Sequence, residues 1–384
     1  MNKRINILLA LCLFISLVGC NANQNSKNCT HLEIEVTNLK EATCEQEGYT
    51  GDKQCKECKE IIEKGMTINK LEHEYIEDEC LMCGNIKIDS NIDNEKFFRQ
   101  IVSTIGYENT IETAYPQTDI YYIIKEHFNS KLPKGKTDKK VAIIGYDGCR
   151  ADILAEKQDS GAINYLLKNG ASINLSYCGG VNYPSKNTQA TSTAPGWCSI
   201  LTGVWADVHG VTDNDIVKAV EPKTLITSLV EDGTINSSTF ITKWNGHFSR
   251  DNSTYLEEKS YCEKNNLNVE FHFCESEKDI HISAIEEISN EDCADFVFII
   301  YENTDTAGHG SDFSYNNLTY KDAFKTEDTY GYEIIKTIEA RDSYNTEDWL
   351  IIVTSDHGGI VSGHGGSSIQ ERMTFVVMNK EWNW

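Results

Sequence analysis

Positive charge is scarce in this chain: 35 Lys and Arg stand against 59 Asp and Glu, a formal net charge of −24 over 384 residues. No basic surface is left to release counterions, so a nucleic acid polymer is excluded as a partner. A small anionic substrate remains open if metals reverse the field locally. Long apolar runs are also scarce. The run from Ile5 to Val18, behind Lys3 and Arg4, is too short to cross a bilayer comfortably. It fits the apolar part of a secretory signal. No later segment is long enough to span, which excludes a polytopic membrane protein. No internal repeat is present. What remains, with 40% hydrophobic residues, is enough for one large domain and a smaller one.

The apolar run ends in Leu17-Val18-Gly19-Cys20, which resembles a bacterial lipoprotein signal. That resemblance implies a signal over residues 1–20, with Cys20 lipidated as the mature N-terminus. The protein is then tethered by lipid to the extracytoplasmic face of a bacterial cell membrane, with Asn21 to Lys27 as a polar spacer. An ordinary cleaved signal or an uncleaved anchor is the alternative.

Residues 21–88 read as a separate cysteine-rich module. Cys29, Cys44, Cys55, Cys58, Cys80 and Cys83 fall in a stretch rich in Glu and Lys and poor in large apolar residues. Such a unit needs staples, either a metal or disulfides. Cys55-x-x-Cys58 and Cys80-x-x-Cys83 have ribbon-like zinc spacing, which predicts a structural zinc on those four thiolates. His31 and His73 are further candidate ligands. Disulfides are the alternative in an extracytoplasmic compartment. The segment resembles cysteine-rich modules of bacterial surface proteins.

Residues 89–139 read as a helical connector, with one amphipathic helix at Phe97, Phe98 and Ile101. A second is marked by Ile120, Tyr121, Ile124 and Phe128. From 140 to 384 strand and helix patterns alternate. Val141 to Tyr146, Thr239 to Thr242, Phe296 to Tyr301, Trp349 to Thr354 and Thr374 to Met378 are apolar strand runs. Helices are expected at Ile163 to Gly170, from Pro222 through Val230, and around Ile334, Ile335 and Ile338. The pattern predicts an α/β fold: a mostly parallel central sheet with helices on both faces, and a ligand site beyond the carboxyl ends of its strands.

Those strand ends carry the chemistry. Asp147, Asp305 and Asp356 each follow a buried run, and His309, His357 and His364 lie close by among glycines. Three acids in one cleft raise each other's pKa unless cations compensate. Mixed Asp and His donors suit zinc, and less well manganese. An Asp after a strand can simply cap a helix. The recurrence of the pattern at several strand ends favours a metal site. A hydroxyl nucleophile is available at Thr191, Ser192 or Thr193, ahead of a predicted helix through Trp197 to Leu201. A bound metal activates such a hydroxyl.

With these residues in view, about two thirds of the chain, residues 140–384, resembles the alkaline phosphatase superfamily. The nearer likeness is to its nucleotide pyrophosphatase/phosphodiesterase branch. The motifs are "DGCRADIL", "TAPGWCSILTG" followed by "HG" and "DN", "DTAGH", "SDHGG" and "GHGG". The resemblance implies Thr193 as nucleophile, because its distance to Thr202-Gly203 and His209-Gly210 fits the family. It implies one metal on Asp147, Thr193, Asp356 and His357, and another on Asp305, His309 and His364. It further implies cleavage of a small phosphodiester or pyrophosphate through a phosphothreonine intermediate. Lys243, in "KWNG", is a candidate contact for a substrate oxyanion, whereas Arg150 is expected to be structural.

One departure bears on substrate class. Diesterases of this branch usually carry an Asn where Gly196 stands, and loss of such a donor costs about 10²–10³ in rate. A phosphomonoesterase, a sulfatase-like hydrolase and an envelope phosphoryl-headgroup transferase are the alternatives. A surface binding protein with a degenerate catalytic domain is the non-enzymatic one. The formylglycine motif of sulfatases is absent at Thr193. Cys149, Cys178, Cys198, Cys262, Cys274 and Cys293 have no pairing legible in sequence, and Cys198 reads as packing.

Overall fold

A computed structural model describes residues 29–43, 47–71, 75–76, 79–80, 115–171, 173–179, 189–214, 220–366 and 368–381. The signal and Cys20, the spacer, Cys44, His73, Cys83 and the expected helix at Phe97 to Ile101 lie outside these residues. The chain divides into two compact units, Met1–Ile88 and Asp89–Trp384. Among the described residues no helix is long and apolar enough to cross a membrane.

The first unit is built on a three-stranded antiparallel sheet in the order Ile34–Thr37, Asp52–Cys55, Ile61–Glu63. Its apolar side chains contribute little: Leu32, Ile34, Val36, Leu39, Ile61 and Ile62 are exposed. Polar contacts stand in for a core. The Asp52 carboxylate accepts from the Tyr49 hydroxyl at 2.5 Å, the Asn38 amide at 3.0 Å and the Gly65 backbone N–H at 3.0 Å.

The second unit is organised by an eight-stranded sheet. Its strands are β1 (Tyr115–Pro116), β2 (Asp138–Tyr146), β3 (Ile173–Tyr177), β4 (Ser238–Thr242), β5 (Val269–Phe273), β6 (Phe296–Tyr301), β7 (Glu347–Thr354) and β8 (Met373–Met378). Their order is β5-β4-β6-β2-β7-β8-β3-β1. Only β8 runs against its neighbours; the other pairs are parallel. The expected mostly parallel α/β fold is therefore present.

Side chains of a strand alternate between faces, so a strand apolar at every position needs cover on both sides. In β2, Val141 and Ile143 join one core with Trp197, Phe240 and Phe298. Ala142, Ile144 and Tyr146 join the opposite core with Phe324, Ile334 and Ile335. The helix Leu318–Glu339 covers that second face, and its buried positions Gly331, Ile334, Ile335 and Ile338 follow helical spacing.

Several expectations are revised. The helix Asp119–Asn129, in the segment read as a connector, is amphipathic as expected. Its stripe of Ile120, Ile123, Ile124 and His127 is buried, and the isoleucines share a core with Val141 and Ile143. The expected helix after Pro222 starts later, at Leu225, because Thr224 is extended, its amide and hydroxyl both bonded to Glu258. Strands β3 and β5 and the helices Leu256–Asn265 and Glu277–Ser289 were not expected. Cys29, Cys55, Cys58 and the six cysteines of the second unit are free thiols, and those six are buried.

Candidate functional site

Strands β6, β2 and β7 are neighbours at the centre of the sheet and run parallel, so their carboxyl ends share one edge. Asp147 follows β2 directly, and its backbone N–H donates to the Tyr301 carbonyl at 2.8 Å. Asp356 and His357 follow β7, and Asp305 and His309 lie on the helix Asn303–Gly310 after β6. His364 comes from the loop before β8.

These side chains converge. His357 Nε2 lies 3.4 Å from Asp147 Oδ1 and 3.5 Å from Asp356 Oδ2. His309 Nε2 lies 3.5 Å from Asp305 Oδ2, and His364 Nε2 lies 3.6 Å from Asp305 Oδ1. Asp305, His309 and His364 form one group able to hold a metal, and Asp147, Asp305 and His357 another. Asp305 thus stands between the two sets.

Hydrogen bonding assigns the imidazole tautomers. Nδ1 of His309 faces the Ser362 carbonyl at 2.9 Å, that of His357 the Gly358 carbonyl at 2.7 Å, and that of His364 the Thr191 carbonyl at 3.0 Å. A carbonyl only accepts, so each Nδ1 carries a hydrogen and each Nε2 is the nitrogen left for a metal. All three Nε2 atoms point into the acidic cluster. His309 Nε2 and His364 Nε2 approach to 3.0 Å. Imidazole nitrogens crowded against carboxylates, each histidine fixed through its other nitrogen, suit a metal centre, where the metal takes the place of any proton on Nε2.

The electrostatics agree. Burial pushes the Asp356 carboxyl well above its ordinary range, and the Asp147 charge adds to this. Burial, then Asp147, pushes Asp305 up to about 6. Asp147 goes the other way: burial opposes its ionisation, but His357 and the Trp197 indole hold its carboxyl below the ordinary range. Asp305 Oδ1 and Asp356 Oδ2 are buried and have no hydrogen-bond partner. The donor set therefore fits divalent metals, which would supply the missing positive charge.

Of the three candidate hydroxyls, only Thr193 faces this cluster. Its Oγ1 donates to Asp147 Oδ1 at 3.3 Å and lies 3.4 Å from His357 Nε2. Thr191 Oγ1 instead donates to the Gly366 carbonyl and accepts from Gly365 N–H, bracing the His364 loop. Ser192 Oγ lies against His364 Nδ1 at 3.3 Å. Thr193 opens the helix Thr193–Thr202, so the positive end of the helix lies beside it, with Ala194 N–H bonded to Asn214 and Gly196 N–H to the Ser192 carbonyl.

A buried network sets that helix. Val211 N–H donates to His209 Nδ1 at 3.1 Å, so His209 is neutral and its Nε2–H faces Ser199 Oγ at 3.1 Å. The Ser199 hydroxyl donates to Gln189 Oε1, which also accepts from Ala206 N–H. The Trp197 indole donates to Asp147 Oδ2 at 3.0 Å. Gly145 makes room for that ring, since a Cβ there would lie 2.5 Å from it.

Lys243, the candidate oxyanion contact, pairs through its Nζ with Glu277 at 3.4 Å and Glu302 at 3.5 Å. Gly196 has no room for an Asn, because a Cβ there would lie 2.9 Å from both the Cβ and the carbonyl oxygen of Asp356. An Asn is nonetheless present beside Thr193. Asn214 Oδ1 accepts from the Ala194 backbone N–H at 2.8 Å. Its only sequence signal was the "DN" of the motif. Arg150 is structural, as expected, with its guanidinium on Asp152 and the Phe313 carbonyl.

In the first unit, Cys55 and Cys58 do not stand alone. They meet Cys29 and His31 within 4.8 Å. Cys80 ends the short strand Glu79–Cys80.

A mostly parallel sheet with acids and histidines gathered at its central strand ends defines a metallohydrolase-like α/β architecture. Residues 141–362 match the family described as type I phosphodiesterase / nucleotide pyrophosphatase, and the chain belongs to that family, within the alkaline phosphatase superfamily. Among solved structures it is similar to murine ectonucleotide pyrophosphatase / phosphodiesterase 5, at 20% identity and a TM-score of 0.41, covering 57% of each chain. It is also similar to the alkaline phosphatase of the Antarctic bacterium TAB5, at 14% identity and a TM-score of 0.40, covering 63% of this chain and 91% of that one. The chain thus spans little more than half the length of the murine protein. No curated protein sequence matches.

Proposed function

We propose that the second unit is a two-metal hydrolase of small phosphodiesters or pyrophosphates that works through a phosphothreonine. The observation that carries this reading is Thr193 Oγ1, 3.3 Å from Asp147 and 3.4 Å from His357, at a helix N-terminus beside two adjoining ligand groups.

Two divalent metals would sit on Asp147, Thr193, Asp356 and His357 and on Asp305, His309 and His364. Zinc is the first choice and manganese the second; both would acidify the Thr193 hydroxyl and neutralise charge on the phosphoryl oxygens. Thr193 Oγ1 bonds to phosphorus as the bond to the leaving oxygen breaks, and the proton that Thr193 loses is made good on that oxygen through solvent. Water then displaces Thr193 from phosphorus, restoring the hydroxyl and releasing the second product. The positive end of the Thr193–Thr202 helix would favour the negative charge of the phosphoryl oxygens. Asn214 adds a donor: with Oδ1 fixed by Ala194 N–H, its Nδ2 has no partner among the described residues. That donor takes the place of the Asn absent at Gly196 and favours a diester over a monoester, a charge-gripping Arg being absent from this group of residues.

Lipidation of Cys20 and an extracytoplasmic location belong to the same reading and rest on the signal-like N-terminus. The test is a panel of aryl diester, monoester, sulfate and nucleotide substrates with added zinc, on wild type and Thr193→Ala. Wild type is expected to prefer the diester or pyrophosphate, and Thr193→Ala to lose its turnover. Full activity in Thr193→Ala sinks the covalent route, and cleavage of monoesters alone sinks the diesterase assignment.

A further inference from the structure

We propose that Cys29, His31, Cys55 and Cys58 form a closed structural zinc site that holds the first unit together. The site is independent of the catalytic reading above.

Two of the six donor separations can be set against a tetrahedron. Cys29 Sγ lies 3.5 Å from Cys55 Sγ, and Cys58 Sγ lies 3.5 Å from His31 Nδ1. All four donor atoms lie within 4.8 Å of one another. With Zn–S of about 2.3 Å and Zn–N of about 2.0–2.1 Å, tetrahedral edges come to about 3.8 Å for S···S and about 3.6 Å for S···N. The observed separations differ from these by only a few tenths of an ångström. A disulfide needs its sulfurs about 2.05 Å apart, and the Cys29 and Cys55 sulfurs are not bonded.

The surroundings fit a metal as well. His31 turns Nδ1 to the thiols and Nε2 to the Glu60 carboxylate, 3.6 Å away, so a carboxylate backs the ligand nitrogen. The Cys55–Cys58 segment is a tight knuckle. Lys59 N–H donates to the Cys55 carbonyl, Cys55 N–H to the Glu60 carbonyl, and Lys59 adopts φ 63°. Lys56 N–H donates to the Glu33 carbonyl, which ties the knuckle to the segment carrying Cys29 and His31. Three thiolates and an imidazole are soft donors that suit zinc and fill its four positions, leaving none open for chemistry.

The inference changes the ligand set expected from spacing. Cys55 and Cys58 serve, but Cys29 and His31 complete the site in place of Cys80 and Cys83. It also explains how the unit holds together with its apolar side chains exposed, since metal binding supplies folding free energy directly.

The test uses the full chain, reduced and loaded with cobalt in place of zinc. Thiolate ligation gives a sulfur-to-cobalt charge-transfer band in the near ultraviolet, and the oxygen and nitrogen donors of the second unit cannot produce one. Wild type, Cys80→Ser and Cys83→Ser are expected to show the band at one equivalent, and Cys29→Ser and Cys58→Ser to lose it. Absence of the band from wild type overturns the proposal. So does its loss in Cys80→Ser, or a Cys29–Cys55 cross-link in the peptide masses of protein isolated without reductant.

Discussion

In the proposed mechanism a single amide, Asn214, bears on substrate class. Its oxygen is occupied by the Ala194 backbone N–H, next to Thr193, which leaves the NH2 group as its free end. Replacement of Asn214 by Ala is expected to lower kcat for a diester by about 10²–10³. Metal content and unfolding midpoint should stay at wild-type values; an unchanged kcat removes Asn214 from the site. The neighbouring Gly196 cannot share this role, because any side chain there presses on Asp356. The metal-ligand candidates were legible in sequence because each follows an apolar strand run or sits among glycines. Thr193 was less so. Thr191 and Ser192 have the same chemistry, and only the fold shows that their hydroxyls are occupied by the His364 loop.

At the scale of elements, the helix that carries Thr193 is set by a network centred on His209. Burial pushes this imidazole down to about 4 from an ordinary value of 6.5. Above pH 6.5 both folded and unfolded forms are neutral, and His209 costs nothing. Between 6.5 and about 4 the unfolded chain takes up a proton that the folded one refuses. Stability is therefore lost as pH falls through that window, by up to about 1.4 kcal/mol per unit, and the loss levels off below it. Urea midpoints at pH 7.5 and 5, with chelator present, are expected to fall further in wild type than in His209→Gln. Equal falls would show that another group carries the acid sensitivity. The strands that sequence missed have a physical explanation. Val269–Phe273 is an edge strand that alternates apolar and polar residues, and Ile173–Tyr177 mixes Asn and Ser with its apolar positions. The continuous apolar runs of β2, β6 and β7 were legible because they are buried on both faces.

At the scale of the molecule, the second unit folds around buried carboxylate oxygens that have no hydrogen-bond partner, Asp305 Oδ1 and Asp356 Oδ2 among them. Removal of metal should therefore cost stability as well as activity. Exhaustive chelation is expected to abolish hydrolysis and lower the unfolding midpoint, and zinc to restore both. A metal held at 100 times its Kd contributes about 2.7 kcal/mol. Retention of activity after chelation would refute the metal assignment. The division into Met1–Ile88 and Asp89–Trp384 was partly legible from the cysteine-rich composition. The membership of the Asp119–Asn129 helix in the second core was not. Its apolar stripe says that it packs, but not on what.

Phe313 is fully buried, with its ring 5.2 Å from that of His309 and 6.0 Å from that of His364. Gly308 and Gly359 both press on it, and a Cβ at either would lie 2.4 Å from the ring. The three positions are thus a single steric unit contributed by separate segments. In descent, neither glycine can drift alone: a side chain gained at 308 or 359 requires a smaller residue at 313 first. Lineages that keep phenylalanine there are confined to glycine at both other positions, whatever substrate they come to use.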